Sequence, residues 1–425
     1  MSVHRAARTS PRPAVPGATA VVVAVGLLLG VALAARGPHL VPDSTSYLDN
    51  APHRPPAYPL FLDLTGLAGR ALGLRLAVLL QALGATVATA RLGLALRRLL
   101  GLGGAATALV LAVLAIAPLN YAADISTECL TWAAFALLLA EASELLLGDG
   151  GWQHLVRAAG WAVLAILLRP QLLFLWPVLG GAVVLRALVL GGRGAWLRHG
   201  LLLAGALLAT SAVQVTYNYA RNGRPQGIHF TGVQLLTVAL YNADPGDAAL
   251  FAGEVRPVAD RLFSRMAGER LFASARPLGS STAAWFERGY VTICLDVIER
   301  EVAGGEPTSA EGWAALDKTT MTIALGLLRA HPTRLPRHVV AIAYAQLKYF
   351  LILMAGLTLV ALVGAREQAR SRWLLLVGGL WWSNVVLVCL VETPMTRYTC
   401  YTDALACAAV IALLAAPRDP PAATS

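Results

Sequence analysis

Between Val41 and Leu62 the chain reads VPDSTSYLDNAPHRPPAYPLFL, which gathers Asp43, Tyr47, Asp49, His53 and Arg54 directly after a long apolar run. A carboxylate can accept a proton from a hydroxyl, and an arginine can hold phosphate oxygens through parallel N–H bonds. Prolines at 52, 55 and 56 stiffen the segment that carries the basic pair. The combination points to chemistry on something anionic. Similar groups recur at Asn120, Tyr121, Asp124 and Glu128 in NYAADISTE, at Arg169, and at Glu392, Arg397 and Tyr398 in ETPMTRYTCY.

What positions these groups follows from composition. The chain has 425 residues, 57% of them hydrophobic and 14% charged, with a mean hydropathy of +0.63, far from the mixture of a soluble domain. Ten apolar segments, at 17–35, 74–96, 104–118, 128–147, 153–168, 171–188, 200–217, 338–363, 373–391 and 401–416, are long enough or nearly so to cross a hydrocarbon core as helices. Arg5, Arg8 and Arg12 precede the first, but no small-residue cleavage pattern follows it, so it is read as a retained helix rather than a signal peptide.

The expected fold is an all-α polytopic membrane protein with about ten transmembrane helices, juxtamembrane helices in the first outer loop, and a partly helical extracytoplasmic insertion. Arginines and lysines collect on cytoplasmic loops. With a cytoplasmic N-terminus, the inner loops hold twice as many of them as the short outer loops, so both termini are expected inside a multi-pass protein of the cell membrane. The segments are then a cytoplasmic disordered tail (1–16), an N-terminal transmembrane domain (17–216) with its first outer loop at 36–73, an extracytoplasmic cap (217–337), C-terminal transmembrane helices (338–416) and a cytoplasmic tail (417–425).

The net charge of +10 fits this topology and an affinity for anionic membrane lipids. Nucleic acid is excluded as a partner, because the basic residues scatter over helix ends and form no stripe with interleaved aromatics. Of five cysteines, Cys129, Cys389 and Cys407 fall in spans, where a thiol behaves as a small hydrophobe. No Cys-x-x-Cys or His-rich spacing suggests structural zinc. A divalent metal held by Asp43 with other carboxylates stays open, and no cofactor is otherwise implied.

Under this topology all the polar groups named above face one side of the membrane. Ionisable groups at membrane depth are costly and either line a cavity or pair with each other, so one shared outer cavity is expected. Each residue also has a plainer role. Asp43 could cap a short helix, Arg54 could reach toward headgroups, and Glu128 could pair with an arginine inside the bundle. Tyr47 and Tyr398 could be interfacial aromatics, and Tyr58 is read as one. His53 and His331 read as surface histidines, and Asp49 as a solvated loop residue.

The Asp-Ser-x-x-Tyr run from Asp43 to Tyr47, followed by Arg-Pro-Pro-x-Tyr-Pro from Arg54 to Pro59, resembles the first extracytoplasmic loop of GT-C membrane glycosyltransferases. These include bacterial relatives of protein O-mannosyltransferases and the aminoarabinose transferases. The similarity continues in order through Ser126 to Glu128, Arg169-Pro170, Arg221-Asn222 with Gly227, His331-Pro332 and Arg397-Tyr398. Many members carry two adjacent acids in the first loop, whereas here Ser44 follows Asp43.

The resemblance implies an inverting glycosyltransferase that moves a sugar from a polyprenyl-phosphate donor to a lipid, glycan or protein acceptor at the outer membrane face. It gives Asp43 the place of the catalytic base and Glu128 a second acidic position. Arg54, Arg397, Arg169 and His53 would bind the donor phosphate, and Tyr47 and Tyr398 the substrate. The alternative is a transporter or lipid-carrier flippase using the same cavity without bond chemistry. Such proteins tend to show paired, interrupted helices in two halves, and no such pair is visible.

Overall fold

The structure is a computed structural model, and it describes residues 16–148, 151–190, 196–223, 225, 231–272, 285, 296–305, 307, 309–364, 369–391 and 396–415. Among these residues the secondary structure is helical, with one isolated bridge between His39 and Asp124 in place of any strand.

The membrane part comprises α1 (Pro16–Arg36), α4 (Arg70–Leu100), α5 (Gly104–Leu119), α6 (Glu128–Leu147), α7 (Trp152–Leu168), α8 (Leu175–Leu190) and α9 (Trp196–Asn222). After the insertion come α13 (Arg334–Gly364), α14 (Ala369–Val391) and α15 (Thr396–Leu414). Each of the ten expected apolar segments coincides with one of these helices. Five stretches are long and apolar enough to cross a membrane: Arg70–Leu100, Glu128–Leu147, Pro170–Val189, Leu197–Asn222 and Ala369–Leu390. Shorter apolar helices, including Gly104–Leu119 and Trp152–Leu168, accompany them.

The expected juxtamembrane helices are α2 (Ser44–Leu48) and α3 (Ala57–Gly66). Gly69 takes φ +89 in the turn from α3 to α4, a conformation that a side chain would resist. Within 217–337 the described helices include α10 (Thr231–Tyr241), α11 (Arg256–Gly268) and α12 (Ala310–Ala330).

Between helices in lipid, small residues permit close backbone approach. Gly26 and Gly30 of α1 accordingly lie against Thr86 and Leu79 of α4, and Gly93 of α4 lies against Leu111 of α5.

Helix α6 is the hub, with most of its side chains buried on all sides. That is the environment a helix apolar all round requires. Its core contacts are specific. Trp132 donates to Thr89 Oγ1 at 2.8 Å, and Trp132 and Phe135 pack on Tyr401 of α15 with ring centroids 5.9 and 6.3 Å apart. Because α6 is held so firmly, the residue at its first turn, Glu128, has a fixed position.

Candidate functional site

Four chain segments meet at the end of the bundle where α6 begins. The loop after α1 is pinned to the loop before α6: His39 N donates to Ala123 O and Ile125 N to His39 O, both at 2.9 Å, and the His39 ring contacts Asp124 at 2.8 Å. Ser44 Oγ adds a bond to Ile125 O at 2.8 Å. From α4, Gln81 donates to the carbonyls of Ala122 and Asp124, each at 2.8 Å. A fully buried amide in a membrane helix is expensive unless bonded, and here its bonds hold the second loop under the first. At the far side of the first loop, Tyr217 of α9 donates to Asn50 at 3.2 Å, and Arg221 pairs with Asp63.

On this platform the first loop builds a compact ion pair. Asp43 occupies the cap position of α2, yet its side chain makes no cap hydrogen bond. The carboxylate instead accepts from Arg54 Nη2 at 2.8 Å. Arg54 also donates to Ser46 Oγ at 2.7 Å and to Tyr47 Oη at 3.3 Å, and its guanidinium carbon lies 4.5 Å from the Tyr47 ring centroid. The planar fork of arginine suits three directed contacts at once. The plain cap role for Asp43 is thereby replaced by a charged contact 11 residues along the chain.

The second ion pair sits deeper. Pro170 cannot continue α7 and leaves Arg169 in extended backbone at φ −149, ψ 100. Arg169 Nη1 then lies 3.2 Å from Glu128 Oε1, with both residues buried. Glu128, in the first turn of α6, also sits at the favourable end of the helix dipole.

Tyr47 joins the two pairs. Burial raises its phenol pKa, which Arg54 and Arg169 pull down and Glu128 and Asp43 push up. All four charges therefore act on one hydroxyl, which stays a neutral hydrogen-bonding group. Tyr47 is buried, so it is no belt residue.

Tyr58 is completely buried against Tyr47, with centroids 5.1 Å apart, and reaches Gln81 Oε1 at 3.4 Å. The expectation that Tyr58 is an interfacial aromatic is therefore corrected: α3 turns it inward while exposing Leu60 and Leu64.

His53 is half-buried rather than fully at the surface. Its ring packs at 4.2 Å on Trp313 of α12. Burial, and then the Arg54 cation, lower its pKa to about 3 against a small opposing pull from Asp43. The ring is neutral at ordinary pH, so it offers a hydrogen-bonding nitrogen and no positive charge. His331, also expected at the surface, contacts Asp247 at 2.8 Å. Burial alone would raise the Asp247 pKa, but the Asp244 backbone N–H, His331 and Arg334 together hold it below the usual carboxylate range. Asp49 is exposed, as expected.

Tyr401 donates to the Glu128 carbonyl at 2.8 Å, which brings the start of α15 to the same place. Arg397 and Tyr398 belong to the first turn of that helix, and their side chains, like all of Glu392, lie outside the described residues. Among the described residues no group of three or more His, Cys, Asp or Glu side chains is placed to hold a metal ion.

Sequence reasoning passed over Gln81, Trp313 and Asp403. Asp403, within α15, accepts from Trp381 Nε1 at 3.0 Å. The available signal was a polar residue inside an apolar run, which marks Gln81 and Asp403. Nothing local marks Trp313.

No family model and no curated protein matches this chain. Among solved structures it is similar to the crystal structure of ArnT from Cupriavidus metallidurans bound to undecaprenyl phosphate, with 16% identity, a TM-score of 0.39, and coverage of 95% of this chain and 77% of that one.

Proposed function

We propose that this chain is a GT-C membrane glycosyltransferase that moves a sugar from a polyprenyl-phosphate donor to a hydroxyl acceptor with inversion. The observation that carries the reading is the Asp43–Arg54 ion pair on Tyr47, held through the Ser44 bond to Ile125 beside the start of α6, where Glu128 and Arg169 form a second, buried pair.

In the transfer, the acceptor O–H gives its proton to Asp43 while its oxygen attacks the anomeric carbon. The bond from that carbon to the phosphate oxygen breaks, and the polyprenyl phosphate leaves with the electron pair. Positive groups that meet the departing oxygens lower the barrier. Arg54 and Arg169, with Arg397, supply that charge, and neutral His53 can add a hydrogen bond. Glu128 holds Arg169 in place, and Tyr398, in the first turn of α15, is assigned to the substrate.

In an inverting displacement the base and the leaving phosphate lie on opposite faces of the sugar ring. Direct contact between Asp43 and Arg54 is then a resting arrangement, and the donor phosphate draws Arg54 away from Asp43. The exposed apolar helix faces, such as Leu60 and Leu64 on α3, suit a lipid carrier arriving from the membrane.

The reading places the site on the outer face of the cell membrane with both termini cytoplasmic. The test is to incubate the purified full-length chain with a panel of radiolabelled polyprenyl-phosphate sugars and membrane acceptors. Transfer from at least one donor is expected. Failure of donor turnover across the panel, with retained binding of the carrier lipid, overturns it in favour of transport.

A further inference from the structure

We propose that the end of the bundle opposite Asp43 carries a built site for the phosphate of an anionic phospholipid headgroup, formed by Arg91, Arg98 and Arg157. The helices alternate in direction, so the C-terminal ends of α4 and α6 and the start of α7 meet there. Two glutamates in the last turns of α6 are buried at that end: Glu141 is 5% and Glu144 is 7% exposed. Glu141 accepts from Arg157 Nε at 2.9 Å, contacts the His154 ring at 2.7 Å and lies 3.5 Å from Arg91 Nη2, while Glu144 pairs with Arg98.

Arg186 donates to the carbonyls of Leu145 and Gly148, closing the helix end beside them. The glutamates thus anchor the arginines from the inside. The arginine side chains themselves stay 50%, 55% and 49% exposed for Arg91, Arg98 and Arg157. A guanidinium has five N–H donors, and contact with the buried carboxylates leaves outward N–H groups in fixed positions. Three arginines over two carboxylates leave the cluster cationic, and exposed Arg97 adds to it. Guanidinium groups held in advance bind phosphate without first being ordered.

Two apolar stripes lead to this cluster and set the ligand class. On α4, Leu80, Val87, Arg91 and Arg98 follow one another at spacings that share a helix face, and Leu80 and Val87 are exposed. On α7, Trp152 and Val156, one turn apart, are exposed beside Arg157. A tryptophan at this level matches the headgroup region of a bilayer. A molecule with a phosphate next to acyl chains meets both features; a soluble phosphate meets only the arginines.

The test uses the full-length chain in micelles with phosphatidylglycerol or phosphatidylcholine of identical acyl chains, and native mass spectrometry to count retained lipid. Wild type is expected to retain phosphatidylglycerol preferentially. Arg157→Gln and Arg91→Gln should each cut that preference about fivefold, the order expected for one basic residue at an anionic surface. Each single variant leaves Glu141 another basic partner, and unchanged melting temperature verifies folding. Arg70→Gln, at the other end of α4, should leave retention unchanged. Equal retention of the two lipids by wild type, or an unchanged preference in both variants, overturns the proposal. Displacement of the lipid by millimolar glycerol phosphate overturns it in favour of a soluble phosphate ligand.

Discussion

Asp43 and Arg54 face each other across 2.8 Å at the two ends of one short loop, with Ser46 and Tyr47 between them as further partners of the same guanidinium. Each group holds the other in place until a donor phosphate draws Arg54 away. If Asp43 takes the acceptor proton, Asp43→Asn removes the base while keeping the size of the side chain. Transfer from a polyprenyl-phosphate sugar should fall by about 10²–10⁴-fold, with protein abundance in membranes unchanged. Wild-type turnover in that variant would remove Asp43 from the mechanism.

Arg54→Lys separates charge from shape. Lysine keeps the positive charge but loses the planar fork that reaches Asp43, Ser46 and Tyr47 together. The same fork would hold two phosphate oxygens of the donor, and losing one such charge-assisted hydrogen bond costs about 1.5–3 kcal/mol, so donor kcat/KM should drop roughly tenfold or more. Steady-state kinetics on a donor that turns over checks this, and an unchanged kcat/KM would assign Arg54 to loop structure alone.

Glu128 and Arg169 form the buried pair, and breaking such a pair strands a charge. Glu128→Gln should therefore destabilise the chain by about 3–5 kcal/mol, read as a lowered melting temperature in detergent. Arg169→Met added to Glu128→Gln should recover much of that loss, because neither charge then remains buried alone. Activity that stays absent in the stable double variant indicates that the pair serves substrate as well as structure; recovered activity confines it to packing.

The membrane helices were legible because their apolar runs are long and end at polar or glycine-rich breaks, and α6, between NYAADIST and GDGG, shows the strength of that signal, starting at Glu128 and ending at Leu147 as expected. Asp43, Glu128 and Arg54 were legible as charges where charge is costly. Their pairing was not. Arg169 meets Glu128 because Pro170 turns the chain after α7 and α6 is buried on every side, and neither fact is local to the two residues. Tyr58 failed for a related reason: a short helix has two faces, and which one turns inward depends on Gln81 in another helix. The Trp313 contact with His53 joins residues 260 positions apart, beyond any local pattern.

His53 makes stability depend on pH. Its pKa in the folded chain is about 3, against an ordinary histidine value of 6.5. Between those two values the unfolded chain binds a proton that the folded chain does not. Stability is therefore highest above pH 6.5 and falls as the pH drops toward 3. This one group contributes up to about 1.4 kcal/mol per pH unit across that window. Thermal unfolding of wild type and His53→Gln in detergent, at steps from pH 7 to pH 4, should show a shallower decline in the variant. Parallel declines would mean that His53 is hydrated in the folded state.

The Trp313 ring covers His53 at 4.2 Å, which leads to a sharper test of the same contact. Trp313→Ala removes a buried ring and should cost about 3–5 kcal/mol at any pH, so the melting temperature alone says little about His53. The slope says more. With water admitted beside the ring, the His53 pKa returns toward its ordinary value and the window in which only the unfolded chain is protonated narrows. Trp313→Ala should then show the shallow pH dependence of His53→Gln although the histidine is still present, and the double variant should be no shallower than either single one. A slope in Trp313→Ala as steep as that of wild type would show that the Arg54 cation, and not the cover from α12, sets the charge state of His53.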